Sequence, residues 1–187
     1  MLVGLLLGGG YAGLLVATNN FHVVIPGQVY RSAQPSAAEI SEYRNRYGVM
    51  TLINLRGAIR QEPWYRDELA ASKREGLTHI DFGMSVGQIQ PPEKIKRLIA
   101  ILASAPKPIL IHSKGGADRT GLASALYLAA IAKQGESSAE AQLSIRYGHF
   151  SIPFVSQGYP MDESFENVEA MLGYTDAIWT ALLNEIS

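Results

Sequence analysis

Short apolar runs alternate with amphipathic stretches along most of this sequence. Three of the runs predict buried strands, over residues 49–55, 77–82 and 108–112. Helical patterns lie between and after them, over residues 37–47, 64–75, 92–104, 121–133, 138–147 and 163–186. Strands separated by helices predict an α/β fold with a central, mostly parallel sheet of four or five strands flanked by helices.

The amino terminus has a different pattern. Residues 2–17 are an almost unbroken run of Leu, Val, Ala and Gly, and the first charged side chain is Arg31. As a helix this run covers most of a hydrocarbon core of ~30 Å. No Lys or Arg precedes it, which favours an uncleaved anchor over a secretory signal. We therefore expect an anchor or signal-like segment over 1–20, a single domain over 21–187, and attachment to a membrane with the domain outside the cytoplasm, periplasmic or extracytoplasmic.

Composition narrows the classes of protein that the chain can belong to. With 187 residues, 47% of them hydrophobic, the chain is long enough for one folded domain and is not disordered. A net charge of −1 gives no argument for a nucleic-acid partner. All sixteen Lys and Arg fall between Arg31 and Arg146 with only eleven acids, so this stretch is positive and suits an anionic substrate. The absence of Cys excludes disulfides, thiolate metal sites and thiol chemistry.

The chemistry is concentrated after the third predicted strand. There the chain reads His112-Ser113-Lys114-Gly115-Gly116-Ala117-Asp118-Arg119-Thr120-Gly121 and then continues as a predicted helix. A glycine-rich loop between a strand and a helix N-terminus directs backbone N–H groups and the helix dipole at an anion, and phosphate suits such a site. Arg119 can offer two parallel hydrogen bonds to phosphate. No Gly-Lys-Ser/Thr closes the loop, which argues against a nucleotide site of the P-loop kind.

This loop closely resembles the signature of cysteine-dependent protein tyrosine and dual-specificity phosphatases, which is His-Cys, five residues, Arg, then Ser or Thr. His112, Arg119 and Thr120 match it, whereas Ser113 stands at the position of the nucleophilic cysteine. Residues 29–36 and 53–56 are similar to the opening segments of bacterial members, so the resemblance runs from about residue 27 to about 150. It implies phosphomonoester hydrolysis through a phosphocysteine, without a cofactor.

The resemblance also implies a role for each matching residue. Residues 113–119, called the phosphate loop below, would bind phosphate, and Arg119 would stabilise the transition state. Thr120 would hydrogen-bond the nucleophile, and His112 would fix the loop and tune the thiol. A serine hydroxyl with no adjacent base is a poor nucleophile, so the chain as written is expected to bind without turnover. Two explanations fit Ser113: a Cys-to-Ser substrate trap, or a natural phosphatase-like protein that only binds.

The general acid is left open between two carboxylates. Asp118 lies inside the loop, as in phosphoinositide phosphatases of the myotubularin kind, and Asp81 ends a predicted strand 32 positions before Ser113. Arg31, Arg56 and Arg60 are candidates for the mouth of the site. The histidines show no metal-ligand spacing, and we predict no metal site.

Three substrate hypotheses follow. A phosphoprotein carrying phosphotyrosine is the commonest substrate among phosphatases of this kind. The apolar amino terminus, Lys114 with the two loop glycines, and Asp118 favour a phospholipid or a polyphosphorylated substrate instead. The third hypothesis is a non-enzymatic phosphate-binding module.

Overall fold

Five short strands form one sheet in the order β1-β2-β5-β3-β4 in the computed structural model, which describes residues 10, 11 and 13–174. They are β1 (His22–Ile25), β2 (Val29–Ser32), β3 (Thr51–Asn54), β4 (Thr78–Asp81) and β5 (Ile109–His112). β1 is antiparallel to β2, and the other neighbouring pairs are parallel. The predicted mostly parallel sheet and its three predicted strands are confirmed.

Helices connect the strands and follow the sheet. Their bounds are α1 (Ala37–Tyr47), α2 (Pro63–Arg74), α3 (Pro92–Ser104), α4 (Asp118–Leu126), α5 (Glu136–Glu140), α6 (Pro160–Glu166) and α7 (Glu169–Leu172). α4 continues as a π-helix over Tyr127–Ile131, and a 3-10 turn covers Ile145–Tyr147. The bounds of α1 are fixed locally, because Ser36 and Glu39 form a capping box and Gly48 ends the helix at φ 69°.

The core lies on both faces of the sheet because side chains alternate along each strand. In β5, Ile109 and Ile111 belong to the larger cluster, which includes apolar residues of α3 and α4. Leu110 points to the opposite face and joins the smaller cluster, which includes residues of α1 and α2. All three side chains are almost completely buried. The sheet is therefore covered by helices on both faces, as the near-continuous apolar runs predict.

Two predicted helices differ from the structure. The stretch 138–147 is not one helix but holds the end of α5 and the 3-10 turn, and 163–186 holds α6 and α7, with residues beyond 174 outside the described part. The first difference has a packing cause: a Cβ on Gly121 of α4 would lie 2.9 Å from the Gln142 carbonyl oxygen. The chain after α5 therefore runs close against α4 instead of continuing as a helix.

The predicted membrane segment lies mostly outside the described residues. Of it, the structure describes residues 10, 11 and 13–20, and residues 13–17 are helical. Within the described part of the chain, no helix is long and apolar enough to cross a membrane. The predicted anchor and the location of the domain both stay predictions.

The register of the sheet brings polar side chains to one edge. His112 at the end of β5 pairs with Ser32 of β2 and with Asn54 of β3, and Asn54 pairs with Asp81 of β4. The carboxyl ends of the parallel strands thus meet at the place where the chain leaves β5 for the loop. Ligands of open α/β sheets bind at this edge.

Candidate active site

The phosphate loop connects the end of β5 to α4 at the carboxyl edge of the sheet. Ser113 and Gly116 are buried, whereas Lys114 and Gly115 are exposed. The Gly116 N–H donates to Ser113 Oγ over 3.2 Å, so the chain curls back around the position of the nucleophile. The loop is therefore a closed turn and not an extended connection.

Carbonyl groups of four consecutive loop residues are held from outside the loop. The three donor residues are Asn20 before β1, Arg31 in β2 and Gln34 after β2, and Arg31 makes two of the four bonds. The bonds run from Gln34 N to Lys114 O (3.4 Å), from Asn20 Nδ2 to Gly115 O (3.0 Å), and from Arg31 Nη2 to Gly116 O (3.0 Å) and Ala117 O (2.9 Å). Every peptide from Lys114 to Asp118 is thus oriented by a partner.

This orientation fixes the direction of the amides. In a planar trans peptide the C=O and the following N–H point in opposite directions. With the carbonyls of residues 114–117 turned outward, the N–H groups of residues 115–118 face the inner side of the loop. The Gly116 N–H bond to Ser113 Oγ shows that this inner side holds the position of the nucleophile. Converging amides at the N-terminus of α4 form a cradle for an anion.

Arg31 is the principal brace of the loop and was assigned wrongly by the sequence analysis. It does not lie at the mouth of the site: its side chain is fully buried, and its guanidinium also donates to Gln142 and Thr120 and lies 4.1 Å from the centre of the Tyr147 ring. Burial lowers the pKa of Arg31 to about 9, which leaves it charged at neutral pH. The carbonyls of the loop and of Gln142 replace the water that a buried cation loses.

Two other arginines lie at the carboxyl edge without a carboxylate in contact. Arg119 is half-buried and donates to the carbonyls of Leu55 and Met84 over 3.4 Å each. Arg56 stacks on the Trp64 ring. Burial, and then the positive charge of Arg56, lower the pKa of Arg119. In the described part of the chain neither arginine forms an ion pair, so their mutual repulsion would be relieved by a bound anion. Arg60 is exposed.

Of the buried groups beside the loop, the Thr120 hydroxyl has hydrogen-bond partners and the His112 imidazole has none within the described residues. Thr120 Oγ1 donates to Ala117 O and accepts from Arg31, and no bond joins it to Ser113 among the described residues. The role predicted for Thr120 stays a prediction. His112 is fully buried, and its Nε2 lies 3.1 Å from Glu68 Oε2, within ion-pair distance but not aligned as a hydrogen bond.

Glu68 of α2 is a functional candidate that the sequence analysis missed. Its buried carboxylate accepts from Gln34 over 2.6 Å and contacts His79 over 2.7 Å, besides His112. Burial would raise the pKa of Glu68, but the surrounding imidazoles and the Gln34 amide outweigh it and lower the pKa to about 2. A fixed negative charge therefore lies behind His112 and holds it in place. Nothing in the local pattern of α2 distinguishes Glu68 from the other acid of this helix, Asp67.

Asp118, the first residue of α4, is tied to a buried histidine. His149 Nδ1 lies 2.7 Å from Asp118 Oδ1, and His149 Nε2 lies 2.8 Å from Asp162 Oδ2. Burial would lower the pKa of His149, but the hydrogen bonds to the two carboxylates outweigh it and raise the pKa to about 9. Protonated His149 donates to both carboxylates. Asp118 Oδ2 has no hydrogen bond within the described residues.

The His149 bridge makes stability depend on pH. Because the pKa in the folded protein, about 9, is above the ordinary value of 6.5, the bridge stabilises the fold fully below pH 6.5. This contribution, up to about 3 kcal/mol, is lost as the pH rises through 9. Urea unfolding at pH 6.5 and 9.5 measures it, and His149→Gln is expected to lose this part of the dependence. If both proteins lost the same free energy of unfolding over this range, the bridge would not be the cause.

Asp81 is more firmly engaged than Asp118. Its two oxygens accept from Asn54 Nδ2 over 2.8 Å and from the Tyr65 hydroxyl over 2.5 Å. Burial, and then Asp81 itself, raise the pKa of Tyr65 to about 12, so the phenol keeps its proton. Asp81 thus joins β3, β4 and α2 through both of its oxygens, and its role as the acid stays a prediction.

A group of carboxylates could hold a metal ion. Oxygens of Glu136, Glu140 and Glu169 lie within 4.8 Å of one another. None of these residues belongs to the phosphate loop. The loop itself offers amides and a guanidinium, which are donors that suit an anion and not a cation.

Solved structures with this fold include several phosphatases. TpbA from P. aeruginosa has a TM-score of 0.60 at 17% identity, covering 84% of this chain and 93% of that chain. The PP-IP phosphatase SIW14 from S. cerevisiae has a TM-score of 0.58 at 22% identity, and the match covers 82% of this chain and 93% of that chain. PTPMT1, solved in complex with PI(5)P, has a TM-score of 0.60 at 16% identity, and the match covers 81% of this chain and 97% of that chain. At these identities the likeness shows a shared fold.

Sequence comparison with protein families gives the membership. The family described as "DSP-PTPase phosphatase fused to NAD+ Kinase" matches residues 22–152, close to the range of the resemblance found in the sequence. No curated protein matches significantly. The matched range covers most of the chain and contains all five strands and the phosphate loop. This chain therefore belongs to that DSP-PTPase family, within the dual-specificity phosphatase superfamily.

Proposed function

We propose that this chain binds phosphomonoesters in the cradle of the phosphate loop and, as written, binds them without turnover. The observation that carries the proposal is the outward orientation of four consecutive loop carbonyls, which directs four amides at the side where Ser113 Oγ lies. The charge of Arg119, without a carboxylate partner, complements a dianion at the same edge.

The catalytic cycle of such a site needs a thiolate at position 113. Its sulfur would attack phosphorus while the bond to the leaving oxygen breaks, and the Asp118–His149 pair would supply that oxygen with a proton through Asp118. Water would then cleave the sulfur–phosphorus bond and release phosphate. Ser113 lacks this chemistry, since its hydroxyl accepts from the Gly116 amide and, within the described residues, contacts no carboxylate or imidazole that could remove its proton.

The second candidate function is a natural phosphate-binding module, which Ser113 fits as it also fits a substrate trap. The substrate trap and the module share the bound ligand and differ in whether cysteine restores turnover. The solved neighbours were crystallised with phosphotyrosine (TpbA) or PI(5)P (PTPMT1), so their common feature is a phosphate ester. A phosphate monoester is therefore the ligand proposed for both candidates.

Phosphate binding by the chain as it stands tests the proposal. Titration calorimetry with inorganic phosphate is expected to give a dissociation constant that Arg119→Met raises by about tenfold to a hundredfold, because hydrogen bonds between charged groups are lost. Arg97→Met is the matched control, since it removes the same charge from an exposed position of α3. Equal effects of the two variants would show that Arg119 acts only through net charge.

A further inference from the structure

An open apolar groove of about 570 Å³ borders the outer rim of the phosphate loop. Lys114, Gly115 and Ala117 form its wall on the side of the loop. The opposite walls come from the N-terminal helical residues, the 3-10 turn and the residue after His149. They are lined by Tyr11, Leu15, Val16, Ile145, Tyr147 and Phe150. The groove and the anion cradle therefore share one short stretch of chain.

The walls of the groove are held together by specific contacts. A Cβ on Gly148 would lie 3.2 Å from Leu15 Cδ1, so the leucine packs directly on the backbone that ends the 3-10 turn. The Tyr11 hydroxyl donates to the Arg146 carbonyl. Asn20 is buried and bonds both Gly115 O and Tyr147 O, which joins the loop rim to the far wall. Asn20, one of the residues that orient the loop, thus also fixes the position of the groove relative to it.

Charge and polarity divide this region into two parts. Lys114 is the one charged side chain among the residues that line the groove, and it lies on the rim toward the cradle. The cradle beyond the rim presents amides, and Arg119 lies at the same edge of the sheet, where it donates to the carbonyls of Leu55 and Met84. A ligand complementary to both parts has an anionic head and an apolar tail, because each part excludes the opposite chemistry.

We propose that the groove holds the alkyl chain of a lipid-type phosphomonoester whose head group lies in the phosphate loop. This inference rests on the proposed function and narrows its substrate class. Lys114 and Gly115 belong both to the phosphate loop and to the wall of the groove, and both are exposed. Gly115 adds no side chain to the rim, and no atom lies within 4 Å of the place where its Cβ would be.

A series of monoalkyl phosphates tests the inference with the full chain. Ethyl, butyl and octyl phosphate are titrated below their micelle concentrations, with inorganic phosphate as the reference. Each methylene that the groove buries completely strengthens binding up to about fourfold, which corresponds to about 0.8 kcal/mol. Partial burial in an open groove is expected to leave at least about a thirtyfold gain from ethyl to octyl phosphate.

The chain offers matched variants for this series. Val16 and Ile145 line the groove and are 82% and 61% exposed, so the double variant Val16→Ser/Ile145→Ser is expected to fold. Val155 and Ile152 are 78% and 54% exposed and do not line it. The double variant Val155→Ser/Ile152→Ser makes the same chemical change elsewhere. The groove variant is expected to lose most of the gain with chain length, and the control to keep it.

The outcomes separate the two proposals. If inorganic and ethyl phosphate bind but affinity does not rise with chain length, the groove inference fails and the proposed function stands. If the gain in affinity with alkyl length is equal in the two double variants, the alkyl chain does not bind in the groove. If no phosphate of any length binds, the proposed function fails. Binding to phosphatidylcholine vesicles that the groove variant weakens and the control variant does not, without a gain along the alkyl phosphate series, would make this surface a membrane contact and overturn the inference.

Discussion

Ser113→Cys is expected to raise hydrolysis of an aryl phosphate such as p-nitrophenyl phosphate by at least about a thousandfold above the chain as written. The N–H groups that converge on position 113 and the N-terminus of α4 stabilise a negative charge there. An unperturbed cysteine has a pKa of ~8.5, so these groups can hold a thiol as its thiolate at neutral pH. A serine hydroxyl in the same place stays protonated. The thiolate needs no base, whereas Ser113 has none in contact among the described residues.

Steady-state kinetics and mass spectrometry measure the two parts of this result. The rate gives the turnover, and a phosphorylated adduct trapped by acid quenching shows the covalent intermediate. Ser113→Ala is the control without a nucleophile and is expected to match the chain as written. Silence of Ser113→Cys together with undiminished phosphate binding would decide for the non-catalytic module. The active variant can then be given phosphotyrosine peptides beside phospholipids, and a preference of tenfold or more for peptide would contradict the lipid substrate.

The sequence predicted the parts of this protein that are governed by local rules. The three apolar runs became β3, β4 and β5: β3 and β5 are buried along their whole length, and β4 is a partly buried edge strand. The glycine pair between β5 and α4 marked the anion cradle, since amides can converge only where the chain turns tightly. The strands β1 and β2 were not identified individually. β1 is only partly buried, and β2 contains the charged residue Arg31, which breaks the apolar pattern.

The braces of the site could not be read from the sequence, because each acts across a long separation. Arg31 contacts carbonyls 85 and 86 positions later, and Asn20 contacts a carbonyl 95 positions later. An arginine after a strand is usually solvated, and only the fold shows that this one is surrounded by acceptors. The same holds for His149, whose two carboxylates come from α4 and α6. Local pattern identified the loop, while tertiary contacts supplied the residues that hold it.

Gly116→Ala is expected to abolish phosphate binding, weakening it by more than about a hundredfold, and to lower the free energy of unfolding by about 2–4 kcal/mol. Gly116 has φ +67°, a region that costs other residues about 1–2 kcal/mol. A Cβ there would lie 2.5 Å from Ala33 N and 2.6 Å from Ser32 C, and backbone atoms of β2 cannot move aside as a flexible side chain can. The loop would have to lift away from β2, and the Arg31 bonds that orient its amides would break.

Its neighbour provides the control for that prediction. Gly115 has no positive φ, and a Cβ on it would meet no atom within 4 Å, so Gly115→Ala is expected to change stability and phosphate affinity little. Titration with inorganic phosphate and urea unfolding of both variants make the comparison. The two substitutions add the same methyl group one residue apart and differ in whether it points at β2. Equal behaviour of the two variants would mean that the close approach of the loop to β2 does not shape the cradle, and the outward carbonyls would then need another cause.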